Sequence, residues 1–333
     1  MGRTAIGWTH GPNGEPGFTF NPWIGCFEIS PACDHCYARE YAKRFNLAEW
    51  GPTTPRRRTS AANWKLPLKW NAEAKRLGVR FRVFCASLAD VFDNAVPVDW
   101  RAELASLIAQ TPYLDWLILT KRIGNVLPMC ANDELLLDMI SNRVWLGATI
   151  CNQEEADRDI WKLLEIPSRV KFLSMEPLLG QVDLRSVRWK RSDHYVDVLR
   201  RGYWTPGPLT GPSRQPGDPY GHFVNHSDME GIDWVIVGAE SGGAHARPMH
   251  PNWARSLRDQ CEAAGTPYFF KQWGNWAPWE QLPATVATAL TAHGKEFSFD
   301  DGTKVEFFRK DIAGRILDGF EYNGSPKIET VEA

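Results

Sequence analysis

Seven short apolar runs recur along the chain, and each is followed by a polar or helical stretch. Sequences such as Val-Phe-Cys-Ala-Ser, Trp-Leu-Ile-Leu-Thr and Trp-Val-Ile-Val-Gly lack the polar alternation of a half-exposed strand. This pattern is typical of strands buried on both faces of a parallel sheet. The predicted strands cover residues 18–26, 81–88, 114–120, 144–150, 170–175, 234–238 and 268–270.

Helical stretches lie between these runs and predict βα units. The final one is followed by Gly265 and Pro267, a normal helix C-terminal signal. Strands and helices that alternate in this order predict an α/β fold, a full or partial barrel. The predicted helices cover residues 100–110, 133–140, 154–164 and 252–264.

Polar residues cluster where the predicted strands end. The carboxyl ends of the strands form the active face of βα barrels, so these clusters indicate a functional site. The clusters are Ser87 and Asp90; Lys121 and Arg122; Thr149, Asn152 and Gln153; Glu176; Glu240 and Ser241; and Lys271 and Gln272.

Two segments depart from the βα pattern. Residues 205–221 are rich in Pro and Gly, which predicts an irregular excursion within 190–231. Residues 297–308 carry Asp-Asp-Gly between two apolar halves, which predicts a β-hairpin. We therefore expect a barrel domain over 1–280, with a basic insertion at 54–82, and a small C-terminal appendage over 281–333.

Composition places the chain among globular proteins. Of its 333 residues, 43% are hydrophobic and 23% are charged. No run of about 18 apolar residues occurs, which excludes a membrane-spanning helix. The N-terminus has no apolar signal core, and seven Cys at irregular spacing do not form a disulfide framework. We expect a cytoplasmic protein with reduced thiols, and we interpret Cys130, Cys151 and Cys261 as packing residues.

Charge is distributed unevenly along the chain. Nine cations in residues 54–82 oppose one anion, Glu73, so this segment carries +8 while the rest of the chain carries −10. Cations neutralise phosphates and flat rings stack on bases, so the segment predicts nucleic-acid contact. A solvated helix face is the alternative interpretation. The candidate contacts are Arg56, Arg57, Arg58, Lys65, Lys69, Trp64 and Trp70.

Three cysteines, Cys26, Cys33 and Cys36, fall within eleven residues directly after the first predicted strand. Thiolates on such a loop can converge on a soft metal, and a four-iron cluster held by three Cys leaves one iron open for a small molecule. A structural zinc is the rival, with His10, His35 or Cys85 as a fourth ligand. The position of the loop, ahead of βα units with polar ends, favours the cluster.

These residues carry a resemblance to a known family. The chain resembles the phage Gp37/Gp68-like (DUF5131) family over nearly all of residues 3–325, and that family is similar to the radical S-adenosylmethionine (SAM) superfamily, especially spore photoproduct lyases. Here six residues separate the first two cysteines, whereas three is usual in that superfamily. The matching segments are 20–26, 33–37, 85–90, 119–122, 174–178, 238–242 and 270–274.

The resemblance implies a partial (β/α)6-type radical SAM barrel whose Cys26, Cys33 and Cys36 hold a [4Fe-4S] cluster. It further implies that SAM contacts His35, Ser87 and Lys121. Glu176 and Glu240 are additional cofactor-binding candidates, and Lys271 and Gln272 are candidate site-lining residues.

Two catalytic roles follow from the same resemblance. Cys85 matches the thiol that returns a hydrogen atom to a repaired thymine radical, and Tyr37 matches a tyrosine that relays the radical onward. From the residues alone, Cys85 is also consistent with a small buried hydrophobe and Tyr37 with a core aromatic.

The implied function is a SAM-dependent DNA-repair lyase that reverses thymine photoadducts. Its partners would be damaged DNA with an extruded base and an electron donor such as flavodoxin or ferredoxin. Two alternatives remain open from the sequence: a radical SAM enzyme that modifies a nucleotide or RNA base, and a non-catalytic zinc-stabilised DNA-binding protein.

Overall fold

The computed structural model describes residues 2–190, 194–205, 222–225, 229–282 and 294–327. Its strands are β1 Arg3–Thr4, β2 Gly17–Phe20, β3 Trp23–Ile24, β4 Arg57–Arg58, β5 Phe81–Cys85, β6 Leu114–Thr120, β7 Val144–Thr149, β8 Val170–Met175, β9 Val187–Arg188, β10 Tyr195–Asp197, β11 Gly202–Thr205, β12 His222–Asn225, β13 Trp234–Gly238, β14 Tyr268–Gln272, β15 Trp276–Ala277, β16 Glu296–Ser298 and β17 Lys304–Phe307. Its helices are α1 Tyr37–Arg44, α2 Ala61–Trp64, α3 Leu66–Leu77, α4 Val98–Ala109, α5 Val126–Cys130, α6 Glu134–Asp138, α7 Gln153–Leu164, α8 Pro251–Ala264 and α9 Lys310–Ala313.

The principal sheet has eight strands in the order β1-β2-β5-β6-β7-β8-β13-β14. β2 pairs with β5, β5 with β6, β6 with β7 and β13 with β14, all in parallel. Every residue of β5, β7 and β13 is buried, which explains why their sequences lack polar alternation. The α/β prediction is therefore confirmed, while the sixfold barrel stays a prediction.

The chain folds as two compact units. The first comprises Met1–Thr149, Ile166–Phe172 and Ser325–Ala333, and the second comprises Ile150–Glu165 and Leu173–Gly324. No helix in the described part of the chain is both long and apolar enough to cross a membrane.

The core of the first unit is rich in aromatic rings. The Phe18 ring stacks on Trp70 of α3 with centroids 4.6 Å apart, and Phe20 meets Trp116 edge to face at 5.7 Å. A Cβ at position 147 on β7 would lie 2.3 Å from the Phe172 ring, so only glycine lets that ring lie against the strand. This dense packing fixes the strand ends that carry the polar residues.

The second unit adds two antiparallel sheets to its α/β elements. One has the order β12-β11-β10-β9, and the other has the order β15-β17-β16. The predicted hairpin is confirmed, because Phe297 on β16 pairs with Val305 on β17. Strands β10, β11 and β12 make the described parts of 190–231 more regular than expected. Residues 206–221 of the Pro/Gly-rich excursion lie outside the described residues.

Candidate functional site

The three cysteines of the first unit lie on a loop with defined local structure. Cys26 follows β3, and Cys33 ends a 3₁₀ turn that Ser30 caps by accepting a hydrogen bond from Ala32 N at 3.1 Å. Cys36 precedes α1, and its amide donates to Cys33 O at 3.2 Å. We call residues 26–36 the cysteine loop. All three thiols are free of disulfides, and Cys33 is buried while the other two are partly exposed.

The residue before Cys26 attaches this loop to the end of β5. Gly25 adopts φ +115°, a conformation that favours glycine, and its amide donates to Leu88 O at 3.1 Å. A Cβ on Gly25 would lie 3.2 Å from Arg56 Cδ. The loop therefore begins at a position fixed by backbone hydrogen bonding and close packing.

Arg122, which follows β6, contacts the cysteine loop directly. Its Nη1 donates to Cys26 Sγ at 3.3 Å, and its Nη2 donates to Phe27 O at 2.9 Å. The guanidinium carbon also lies 4.5 Å from the centre of the Phe27 ring. Burial raises the pKa of the Cys26 thiol to about 11, Asp90 acts in the same direction and Arg122 opposes the shift. Without a metal, Cys26 is therefore a protonated thiol at neutral pH.

Asp90 joins the ends of β5 and β6. Its Oδ1 accepts from Thr120 Oγ1 at 2.8 Å and from Phe92 N at 3.0 Å. Its Oδ2 accepts from Lys121 N and from Arg122 Nη1, both at 3.1 Å. The carboxylate is nearly buried and has four donors, so it holds the 120–122 turn and orients Arg122 toward Cys26.

Ser87 lies in a second set of hydrogen bonds at the same strand end. Asn21 Nδ2 donates to Ser87 Oγ at 2.9 Å, and Asn21 Oδ1 accepts from Leu88 N at 2.7 Å. The hydroxyl of Tyr37, the first residue of α1, donates to Ser87 O at 2.7 Å. The Ser87 hydroxyl accepts the hydrogen bond from Asn21, and its own proton is a potential donor.

Cys85 ends β5 and is fully buried. It pairs with Phe20 on β2 and with Ile118 on β6, so its sulfur lies within the layer of strand ends. Burial raises the pKa of this thiol far above its ordinary range, which keeps the sulfur protonated. The side chain therefore carries an S–H bond, as a hydrogen-atom donor must.

Lys121 and His35 are both partly buried. The Lys121 amide is fixed by Asp90, and the ammonium has no ion pair or hydrogen bond within the part of the chain that the structure describes. His35 lies in the cysteine loop between Cys33 and Cys36. Both positions are compatible with the predicted contacts to SAM, which stay predictions.

The thiols do not form a metal site as they stand. Among the described residues, no group of three or more His, Cys, Asp or Glu side chains is arranged to hold a metal ion. Cys26, Cys33 and Cys36 nevertheless belong to one loop and are unpaired. Their chemistry fits a cluster with three protein ligands, and binding it would require the loop to bring them together.

The basic segment is less exposed than its sequence indicates. Arg56 was expected at a nucleic-acid surface, but its side chain is buried against Asp93, with Nε donating to Oδ2 at 2.7 Å. It also donates to Gly51 O and Thr54 O. Trp70 is buried as well, stacked on Phe18. Neither side chain is available to a phosphate or a base in this structure.

The remaining members of the segment lie nearer the surface. Arg58 pairs with Glu103 and lies over the Trp64 ring at 4.3 Å, and the Trp64 ring meets Phe20 edge to face. Arg57, Lys65 and Lys69 are exposed. The predicted contacts that solvent reaches most freely are therefore Arg57, Lys65 and Lys69.

The predicted residues of the second unit form two ion-paired groups. Glu176 accepts from Lys271 Nζ at 2.5 Å and from Gln272 Nε2 at 2.9 Å. The Glu240 carboxylate accepts a hydrogen bond from the Arg247 amide at 2.8 Å and further hydrogen bonds from the Arg247 guanidinium. Burial lowers the pKa of Lys310, Lys271 acts in the same direction, and Glu176 opposes the shift. Glu176, directly after β8, thus meets Lys271 and Gln272 of β14, as polar strand ends predict.

Sequence reasoning gave no contact for two residues of the first unit's site. Asn21 lies inside the matching segment 20–26 without a prediction of its own, and the strand-end pattern predicts Arg122 without a named partner. The signal for Asn21 was that it is a polar residue directly before Pro22 within the first apolar run. No local signal connects Arg122 with Cys26, which lies 96 residues earlier.

The comparisons with known proteins give one family and a distant structural likeness. The family described as "Protein of unknown function (DUF5131)" matches residues 3–326. No curated protein matches the chain. A spore photoproduct lyase double mutant with bound AdoMet and dinucleoside spore photoproduct is 12% identical, with a TM-score of 0.35, over 77% of this chain and 74% of that chain. Another mutant of that lyase is 12% identical, with a TM-score of 0.34, over 79% and 76%.

Proposed function

The chain belongs to the DUF5131 family, and we propose that it is a SAM-dependent iron–sulfur lyase that reverses thymine photoadducts in DNA. The observation that supports this most strongly is the contact between Arg122 and Cys26 beside the Ser87–Tyr37 hydrogen bond. Together these contacts connect a three-thiol loop with the ends of β5 and β6, where a small-molecule site is expected in an α/β protein.

Three side chains would hold the cluster. Cys26, Cys33 and Cys36 supply thiolates, and three protein ligands leave one of four irons open for the amino and carboxylate groups of SAM. When bound, the cluster supplies the single electron whose transfer cleaves SAM into methionine and a 5′-deoxyadenosyl radical. The task of this chain's own residues is then to hold SAM, exclude water and manage hydrogen atoms.

SAM offers one negative and two positive groups for recognition. The Lys121 ammonium would pair with its carboxylate, and Ser87 would lie at its amino group. His35, beside Cys36, would lie against the adenine ring. Glu176 and Glu240 remain predicted cofactor contacts from the family resemblance, each already held by a cation or amide of the second unit.

Cys85 would complete the repair step. Its S–H bond is weak enough to give one hydrogen atom to the carbon radical that remains on thymine after the bond between the two bases breaks, which completes that carbon's valence and leaves an unpaired electron on sulfur. Tyr37 would carry that unpaired electron onward by giving up its phenolic hydrogen. Burial suits the thiol for this role because a neutral S–H, not a thiolate, is the hydrogen-atom donor.

DNA would bind with the damaged base turned out of the helix. A photoadduct is poorly stacked, so extruding it costs less than extruding a normal base. The exposed cations Arg57, Lys65 and Lys69 would neutralise backbone phosphates. A reduced flavodoxin or ferredoxin would provide the electron.

Anaerobic reconstitution with iron and sulfide tests the proposal. Loaded protein should be brown, retain about four irons per chain, and convert SAM to 5′-deoxyadenosine after reduction. Irradiated thymine oligonucleotides should then return to unmodified bases, as judged by mass. Cys36→Ala should abolish all three results, whereas the matched control Cys130→Ala, outside the cysteine loop, should retain them.

Other outcomes separate the alternatives. Colourless protein with one tightly bound zinc per chain would support a non-catalytic, zinc-stabilised DNA-binding protein and overturn the proposal. SAM cleavage that requires RNA or a free nucleotide, with no effect on irradiated DNA, would instead support a radical SAM enzyme that modifies a nucleotide or RNA base.

A further inference from the structure

Three aromatic side chains lie exposed along one face of α1. Tyr37, Tyr41 and Phe45 follow each other at four-residue intervals, so they share a helix face. They are 55%, 48% and 52% exposed, and the rings of Tyr41 and Phe45 lie 4.7 Å apart. We call these three residues the aromatic stripe. Ala38 and Ala42, on the adjoining face, are buried, whereas the three aromatic side chains stay about half exposed, so packing of the helix does not account for the stripe.

The stripe starts at the candidate site and leads away from it. Tyr37 donates to Ser87 O, which places its ring beside the end of β5. Four helical residues rise about 6 Å, so Tyr41 and Phe45 present further rings at steps of roughly that length. Contiguous exposed apolar surface of this kind marks a binding site more often than scattered single residues do.

The charges in the last turn of α1 are positive. Lys43 and Arg44 occupy the last turn of α1 and are exposed, and the Arg44 guanidinium lies 5.5 Å from the Phe45 ring centre. Arg57 is exposed and donates to Leu47 O at 2.7 Å, next to this helix end. The nearby acids Glu28 and Glu40 pair with Arg39. Rings that alternate with cations match a nucleic-acid strand, because bases stack and phosphates pair.

We propose that the aromatic stripe is the binding surface for single-stranded or locally opened DNA next to the lesion. Tyr41 and Phe45 stack on the flanking bases, and Lys43, Arg44 and Arg57 contact the phosphates. That a lesion lies next to this surface rests on the proposed function. The stacking surface itself does not depend on a cluster or SAM, so it is measurable without them. An acidic electron-donor protein is the competing occupant.

Fluorescence anisotropy with a labelled single-stranded thymine-rich oligonucleotide tests this surface on the full chain, metal-free and reconstituted. Stacking contributes about 1–3 kcal/mol per base, so Tyr41→Ala and Phe45→Ala should each weaken binding at least about fivefold. Phe45→Trp, which keeps an aromatic ring, should retain or strengthen DNA binding. Phe320→Ala, which removes a ring that is 67% exposed on the second unit, should leave binding unchanged.

A salt titration distinguishes the two kinds of contact. Lys43→Gln with Arg44→Gln should reduce the slope of log affinity against log salt by roughly 0.7 per cation, while the alanine variants leave the slope unchanged. The inference is overturned if Tyr41→Ala/Phe45→Ala, with an unaltered melting temperature, binds DNA like wild type. It is equally overturned if that variant loses only the binding of a reduced flavodoxin. DNA binding through the stripe without SAM cleavage would support the surface and refute the proposed function.

Discussion

Arg122 donates a hydrogen bond to Cys26 Sγ at 3.3 Å, although 96 residues separate the two in sequence. The same guanidinium nitrogen pairs with Asp90 at 3.1 Å, and the side chains of this ion pair are almost fully buried. The end of β6 thus fixes one thiol of the cysteine loop. Cations and N–H groups next to a ligating sulfur stabilise the more negative, reduced form of an iron–sulfur cluster.

Arg122→Gln should therefore shift the midpoint potential of the reconstituted cluster to a more negative value. The variant loses the positive charge beside Cys26, and glutamine is too short to reproduce both contacts. A redox titration followed by electron paramagnetic resonance measures the shift, and an iron assay measures cluster retention. Arg122→Lys, which keeps the charge, should shift the potential less.

A loss of fold would be a different explanation of the same result, and two variants exclude it. Arg143→Gln removes an exposed ion pair with Asp138 and should change neither potential nor stability. Asp90→Asn added to Arg122→Gln removes the buried carboxylate charge that has lost its cation and should recover part of the melting temperature. If the potential recovers together with the melting temperature, Arg122 acts only through stability.

Cys85→Ala should leave SAM cleavage intact and change the products from irradiated DNA. Without the S–H bond at the end of β5, the thymine radical takes its hydrogen atom from another source or adds to solution species. Product masses and 5′-deoxyadenosine yield, measured in the same reaction, separate the two steps. Cys151→Ala, which removes a buried thiol of the second unit, is the matched control, and normal repair by Cys85→Ala would refute the donor role.

Thiol reactivity should follow burial and pKa. Burial raises the pKa of Cys130 to about 11, so only about one in a thousand of these thiols is ionised at pH 8. At pH 8 we expect iodoacetamide to label Cys36 first in the native metal-free protein, to label Cys130 far more slowly, and to leave Cys85 and Cys261 unmodified. Because the thiolate is the nucleophile, labelling of Cys130 should accelerate about tenfold per pH unit up to pH 11.

Peptide mass mapping reads out each site in that experiment. Denatured protein should label at all seven cysteines, which controls for reagent and detection. Iron–sulfur loading should protect Cys26, Cys33 and Cys36 together. If loading protects two of these cysteines and not the third, the third is not a ligand of the cluster.

The strands of the α/β sheet were predictable because burial on both faces leaves a direct record in sequence. The run at 81–88 contains β5, and the run at 114–120 coincides with β6. Their polar ends meet because neighbouring parallel strands finish at the same edge. This geometry brought Asp90, Lys121 and Arg122 together from pattern alone, although the contact with Cys26 needed the fold.

The basic segment shows where local patterns fail. Three consecutive arginines resemble a solvated run, yet Arg56 pairs with Asp93, 37 residues later, and no local pattern contains that partner. Trp70 carried a clearer signal, since Pro67, Trp70 and Ala74 recur at helical spacing and form the buried face of α3. This periodicity predicts that Trp70 is buried, so the prediction that its ring stacks on a base was wrong.

Arg56→Gln should destabilise the protein and leave the electrostatics of DNA binding unchanged. Both side chains of the Arg56–Asp93 pair are fully buried, and removing one partner leaves the other charged and unpaired. Such a loss costs about 3–5 kcal/mol in unfolding free energy. Thermal or urea unfolding measures this loss. Arg57→Gln, at the exposed neighbouring position, should leave the unfolding free energy almost unchanged.

DNA binding distinguishes the burial of Arg56 from its predicted role at a phosphate. Below its melting temperature, Arg56→Gln should bind duplex DNA with the wild-type salt slope. Lys65→Gln/Lys69→Gln should flatten that slope by roughly 0.9 per cation without changing stability, because both ammonium groups are exposed. A flattened slope for Arg56→Gln in folded protein would mean that Arg56 leaves Asp93 to contact DNA. The burial observed here would then describe only the DNA-free state.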